Sequence, residues 1–199
     1  MSAAAERVGR APDEVTIVAV TKGFPAATAA AAVAAGLTLL GENRAQELLA
    51  KVDEVHPDEW HFVGRLQRNK VARLAPHVAV WHSVDRDELG EAISRHAPGA
   101  RVYVQVNLAG ETQKGGCRPE EAAALAARLA GLGLRVEGLM TVPPIGVDPR
   151  PHFARLALLA AEAGTGGLSM GMSDDFETAV EEGATVVRLG STLFGARPR

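Results

Sequence analysis

Lys22 is the residue best placed for covalent chemistry in this chain. It follows the apolar, β-branched run Val15-Thr-Ile-Val-Ala-Val20 after a single threonine, and Gly23 and Pro25 then break the run. Strand alternation puts Lys22 on the face of Val18 and Val20. If that face lines a core, the amine has little water around it. Desolvation lowers a lysine's pKa and makes it a nucleophile suited to Schiff-base formation. The plainer reading is a strand-end lysine whose charge reaches solvent along its own stem. Two later segments hold the parts of an anion cradle. In Leu168-Ser-Met-Gly-Met-Ser-Asp-Asp175, Gly171 permits close backbone approach, Ser169 and Ser173 supply hydroxyls, and a helix start supplies unpaired N–H groups. Capping alone is the competing explanation, since Asp174 and Glu177 have capping-box spacing. The second segment, Arg188-Leu-Gly-Ser-Thr-Leu-Phe-Gly195, again joins a strand to a glycine and two hydroxyls. Arg188 shares its face with Val186 and Gly190, and a buried arginine is either paired to a carboxylate or aimed at a ligand. Glu42 and Glu137 are the acidic residues on comparable strand positions.

The elements that must position these residues follow from periodicity and punctuation. Strands are expected over 15–20, 37–41, 60–63, 78–84, 102–108, 136–142, 167–172 and 185–190. Helices are expected over 2–9, 25–35, 44–55, 67–75, 85–96, 119–130, 151–163 and 174–182. Alternation of this kind, with no linker and no shift in composition, implies a parallel sheet with crossover helices. Eight repeats point to one domain over 1–199, a (β/α)8 TIM barrel at the short end of the usual size range. A doubly wound open sheet is the alternative, weakened by the lack of Gly-x-Gly-x-x-Gly after the first strand. About eight residues follow the last strand, so no helix is expected there, and the amino-terminal helix is left to cover that gap.

In a barrel, chemistry collects at the carboxyl ends of the strands, where Lys22, Asn43, Gly64, Ser83, Asn107, Met140, Ser173 and Ser191 fall. Loops after the seventh and eighth strands are the fold's usual phosphate site. A nucleophilic lysine, a phosphate cradle and an inward arginine together suit pyridoxal 5′-phosphate, which needs an amine for its aldehyde, an anion site and a group at its pyridine nitrogen.

Composition narrows the partners. The chain is 47% hydrophobic and 23% charged with a net charge of −3, so nothing draws it globally to nucleic acid or an anionic membrane. Cys117 is the single cysteine, which excludes an internal disulfide and a cysteine zinc cluster; no metal site is expected. The amino terminus lacks the apolar core of a signal peptide, and no run reaches the length of a membrane span, so a cytoplasmic location is expected.

The sequence resembles the pyridoxal phosphate homeostasis proteins, also called proline synthetase co-transcribed homologues, over nearly its whole length. The resemblance rests on Val18-Ala-Val-Thr-Lys22, Gly41-Glu-Asn43, Trp60-His-Phe-Val-Gly64 with Leu66-Gln67 and Asn69-Lys70, and His82-Ser-Val-Asp85. It continues through Gln105-Val-Asn107, Gly138-Leu-Met140, the segment 168–175, Val187-Arg-Leu-Gly190 and Phe194-Gly-Ala-Arg197. It implies a barrel like the amino-terminal domain of alanine racemase, with pyridoxal phosphate held as a Schiff base on Lys22. It also implies phosphate contacts from Ser169, Gly171, Ser173, Gly190 and neighbours such as Met172 and Ser191, and Arg188 near the pyridine nitrogen. Asn43, His61, Ser83 and Met140 complete the expected site. The chain departs from the family at Thr21-Lys-Gly-Phe-Pro25, where Ser-Lys-Thr-Lys-Pro is usual, and at Arg65, often proline. No residue expected to touch the cofactor is lost.

The resemblance implies a carrier or regulator of vitamin B6 with no dedicated reaction, acting as a monomer, with apo-enzymes that need the cofactor as candidate partners. A weak amino-acid racemase is the alternative. It requires a second base opposite the lysine, usually a tyrosine from a second domain; Tyr103 is the only tyrosine, and His61, His82 and Lys114 are the other candidates. A class-I-type aldolase ranks third, with Glu42 as its acid–base group.

Overall fold

Eight apolar runs form eight parallel strands in the computed structural model, which describes residues 2–111 and 115–196. They are β1 (Thr16–Val20), β2 (Leu39–Glu42), β3 (Glu59–Phe62), β4 (Val78–Val84), β5 (Arg101–Gln105), β6 (Arg135–Met140), β7 (Gly167–Ser169) and β8 (Val186–Leu189). Each strand pairs with the next in sequence, and β8 pairs with β1, so the sheet closes into a barrel. The open-sheet alternative is excluded. The helices are α1 (Ser2–Arg7), α2 (Ala26–Ala34), α3 (Ala45–Leu49), α4 (Val71–Leu74), α5 (Asp87–His96), α6 (Ala122–Gly131), α7 (Arg150–Glu162), α8 (Phe176–Glu181) and α9 (Ser191–Phe194). Among the described residues, no helix is long and apolar enough to cross a membrane.

Two apolar layers follow from strand alternation. Outward residues such as Leu40, Phe62, Trp81, Val104 and Leu139 pack against Leu48, Leu89, Leu125 and Phe153 of the surrounding helices. Inward residues Val18, Val20, Val80, Tyr103, Met140 and Val186 fill the barrel itself. The expected α1 packs on α8 through buried Ala4 and Ala5, with Arg7 bridging Glu177 and Glu181 at 2.7 and 2.9 Å. A helix does follow β8: the single turn α9 fits in four residues, fewer than a periodicity argument can detect. The expected helix over 44–55 is also cut short, because the chain turns after α3 and carries Lys51 inward to a buried position.

Gly138 sets how closely β6 and β7 approach. A Cβ there would stand 1.8 Å from the Gly167 carbonyl oxygen, and that strand cannot retreat without breaking the barrel. Gly138→Ala is expected to cost about 3 kcal/mol of stability by overpacking. Urea denaturation of the variant checks it; a loss within the ordinary scatter of surface substitutions would contradict the packing.

Candidate functional site

Lys22 sits half-buried just past the end of β1, between two anchored neighbours. On one side, the Thr21 hydroxyl donates to Glu42 at 2.7 Å, and the Thr21 carbonyl accepts from the Lys51 ammonium at 2.8 Å. Lys51 and Glu42 form an ion pair whose side chains are 5% and 0% exposed. On the other side, the Gly23 N–H donates to Glu47 at 2.6 Å. The lysine's backbone is therefore held from both ends, and an amine placed by a fixed backbone loses less freedom on meeting a ligand. Burial pushes the Glu42 carboxyl above its usual range, and the hydrogen bonds from Lys51 and Thr21 pull the other way. Glu42 is an anchor here, fully buried and bound to Thr21 and Lys51.

The loops after β7 and β8 are knitted into one surface beside Lys22. Ser173 Oγ accepts from the N–H groups of Gly190 at 3.2 Å and Thr192 at 3.1 Å, which leaves its own O–H to donate. Thr192 in turn donates its hydroxyl to the Ser173 carbonyl at 3.3 Å. Gly171 has φ +92°, and a Cβ there would lie 2.6 Å from the Ala179 Cβ, so the turn into α8 needs glycine. The Met172 N–H is fixed on Asp175 at 2.6 Å. Gly190 packs against the end of β1, since a Cβ there would stand 3.3 Å from the Val20 carbonyl. Ser191 is exposed at the start of α9. Cradle and lysine thus meet where β8 pairs with β1.

Below them runs a buried chain of polar groups across the barrel. Arg188, in register with Val18, donates to Ser169 Oγ at 2.7 Å and to the Thr141 carbonyl at 2.8 Å. Ser169 Oγ lies 2.8 Å from His82 Nδ1, His82 Nε2 lies 2.8 Å from His61 Nδ1, and His61 Nε2 lies 3.1 Å from Glu59. The direction of every bond follows from the ends. Glu59 is held by Arg101 at 2.6 Å and accepts only, so His61 carries its proton on Nε2. A neutral His61 then accepts at Nδ1 from His82 Nε2–H, and His82 accepts at Nδ1 from the Ser169 hydroxyl. Ser169 is left to accept from Arg188, which can only donate. Both ends demand the same tautomers. Burial keeps both rings neutral: the His61 pKa falls to about 4, and His82 falls well below the ordinary histidine value. Arg188 is also lowered by burial, to about 10, and stays a cation at neutral pH. Among the described residues its hydrogen bonds go to a hydroxyl and a carbonyl, and the charge of Asp175 offsets part of the effect of burial.

These positions correct part of the expected site. Ser169 is fully buried with its hydroxyl spent on His82, whereas the Ser173 hydroxyl lies between the loops after β7 and β8. His61 faces away from the mouth. It lines a cavity of about 470 Å³ at the amino-terminal end of the barrel, with Glu59, Arg101, Tyr103 and Glu137. Ser83, within β4, donates to the Gly64 carbonyl and ties the loop after β3 to that strand. Met140 does reach the mouth, in a pocket of about 200 Å³ with Val63, Arg65, Gln105, Asn107 and Val142. Asn43 stands at the end of β2 with a buried Oδ1 that has no hydrogen-bond partner. Lys114 and Arg197 lie outside the described residues. Glu47, Lys51, Glu59 and Thr141 were not singled out by sequence reasoning, since each acts through a partner on another element.

Similarity to known proteins agrees with this geometry. The model of the alanine racemase N-terminal domain matches residues 3–198. A pyridoxal phosphate homeostasis protein of Pseudomonas aeruginosa is 46% identical, covering 98% of this chain and 90% of its own length. The corresponding protein of Aquifex aeolicus is 40% identical, over 98% and 92%. The structure of PipY from Synechococcus elongatus, solved with PLP bound, superposes with a TM-score of 0.84 at 35% identity, covering 96% of this chain and 100% of that one. By sequence, by fold and by the order of its motifs, the chain belongs to the alanine racemase N-terminal domain family and, within it, to the pyridoxal phosphate homeostasis proteins.

Proposed function

We propose that the protein binds pyridoxal 5′-phosphate at the barrel mouth and serves vitamin B6 homeostasis as a carrier, without a dedicated catalytic reaction. One observation carries this reading: an anchored, half-buried lysine adjoins the loops after β7 and β8, where the Ser173 O–H is left to donate, above a buried cationic arginine whose side-chain hydrogen bonds go, among the described residues, to a hydroxyl and a carbonyl. Lys22 holds the cofactor through its amine. Gly171, Met172, Ser173, Gly190 and Ser191 take its phosphate, Arg188 faces its ring nitrogen, and Asn43 and Met140 border it. When bound, the group supplies an aldehyde and an electron-withdrawing ring. A cationic Arg188 disfavours a second positive charge at the ring nitrogen, which weakens the ring as an electron sink. Asn43 fits the role because its buried Oδ1 has no protein donor.

The residues argue against a dedicated racemase. Tyr103 stacks on His82 at 4.8 Å and lines the amino-terminal cavity, with its pKa pushed up to about 12 by burial, so it offers no base at the mouth. His61 and His82 are spent on each other. Positioned acid–base help is worth on the order of 10²–10⁴-fold in rate, and racemisation of alanine or serine should fall short of a dedicated enzyme by that order. We read the protein as a cytoplasmic monomer whose recipients are apo-enzymes that need the cofactor. The test gives the loaded protein amino acids and, separately, such an apo-enzyme. Transfer with slow racemisation is expected. Rapid, saturable racemisation without transfer would put the racemase first.

A further inference from the structure

The cofactor site leaves the stretch Arg65 to Lys70 largely unused. At the carboxyl ends of β2, β3 and β4 it forms one wall of a cleft of about 420 Å³, lined by Asn43, Arg44, Arg65, Gln67, Lys70 and Arg86 among others. Four of these residues are cations, and no carboxylate lines the cleft. Two of the four are neutralised from outside it. Arg44 has Glu47 at 3.4 Å, and Arg86 pairs with Asp85 while reaching the Leu66 carbonyl at 3.3 Å. Among the described residues, Arg65 and Lys70 have no such pairing, which leaves two positive charges of the cleft uncompensated there. Arg65 also lines the mouth pocket beside Met140, so the cleft and the mouth share a wall.

We propose that this cleft is a second binding site, for a phosphate monoester of a small polar molecule, adjoining the barrel mouth through Arg65. The charge selects the class. A phosphate monoester carries about −1.5 to −2 near neutral pH, which matches the two free cations. Arginine offers forked donors to phosphate oxygens, and lysine adds a point charge that needs no fixed orientation. The volume exceeds that of a bare phosphate and lies within the range of small-molecule sites, so an organic body fits as well. The amides of Gln46 and Gln67 offer donors and acceptors to that body. The cleft shares Asn43 with the border of the cofactor site, but Lys22 and the loops after β7 and β8 take no part in it, so variants separate the two.

Glycerol 3-phosphate is a suitable probe, titrated calorimetrically into the purified full chain at low ionic strength. A saturable binding event is expected. Arg65→Gln and Lys70→Gln should each weaken it about tenfold, the value of one charge-assisted contact, and added salt should weaken it further. Arg65 is exposed and Lys70 half-buried, so neither variant endangers the fold; an unfolding curve confirms this. Absence of binding at millimolar probe overturns the proposal. So does binding that survives both substitutions but is lost in Ser173→Ala, which would place the phosphate in the loops after β7 and β8. Tighter binding of a glutamate-rich peptide than of glycerol 3-phosphate, sensitive to Arg65→Gln, would assign the cleft to a protein partner and overturn it equally.

Discussion

Lys51→Met is expected to cost about 3–5 kcal/mol of folding stability, because it strands the Glu42 carboxylate in a site with no exposure. The pair is a poor source of net stability when intact, since removing two charges from water costs much of what their attraction returns. Breaking it is another matter. Glu42 would keep only the Thr21 hydroxyl, and its second oxygen is already buried without a hydrogen-bond partner. The double variant Glu42→Gln/Lys51→Met removes both charges and should recover most of the loss. Urea denaturation of the two variants at neutral pH makes the comparison; a single variant that loses less than its double partner would contradict the account. A second effect reaches the mouth. The Thr21 carbonyl loses its donor, so the backbone before Lys22 loosens and cofactor affinity should fall even where the protein remains folded.

Acid should destabilise the barrel well before its surface carboxylates titrate. The His61 ring has an ordinary value of 6.5 in the unfolded chain and about 4 in the folded one. Between those values the unfolded state binds more protons, so stability is full above pH 6.5 and declines as pH falls toward 4. At pH 5 the loss is about 2 kcal/mol for one such histidine. His82 is shifted the same way and adds to it, and a protonated His61 would disfavour its protonation further. Glu42 and Asp175 oppose the trend, since burial raises both carboxyls and favours proton uptake by the folded state. Denaturation curves at pH 7.5 and pH 5, with histidine resonances followed by NMR, check both parts. A flat stability, or all six histidines titrating near 6.5, would contradict the buried chain.

Local features were legible in the sequence, and features that depend on distant contacts were not. The eight strands follow from short β-branched runs, and the carboxyl-end rule placed Lys22, Gly171, Ser173 and Gly190 at one mouth. Each of these belongs to a single strand-to-loop segment, so spacing alone located it. Ser169 was assigned to the cradle because it lies in such a segment, yet strand alternation turns it into the barrel, where it meets His82 across 87 residues of sequence. His61 differs from its expected place for the same reason: strand β3 sets it in the amino-terminal cavity with Glu59, Arg101 and Tyr103. Lys51 reads as a late residue of a surface helix, and only the turn after α3 brings its ammonium to Thr21, 30 residues earlier. Periodicity reports which face a residue takes. It does not report who stands opposite.

Borohydride reduction separates Lys22 from the other lysines as the residue that holds pyridoxal 5′-phosphate. The protein, loaded with the cofactor, is reduced, digested and mapped by mass spectrometry, with its visible absorption recorded beforehand. A yellow protein with the reduced adduct on Lys22, and no adduct in Lys22→Ala, is the expected result. An adduct on Lys51, Lys70 or Lys114 with Lys22 unmodified would contradict the account.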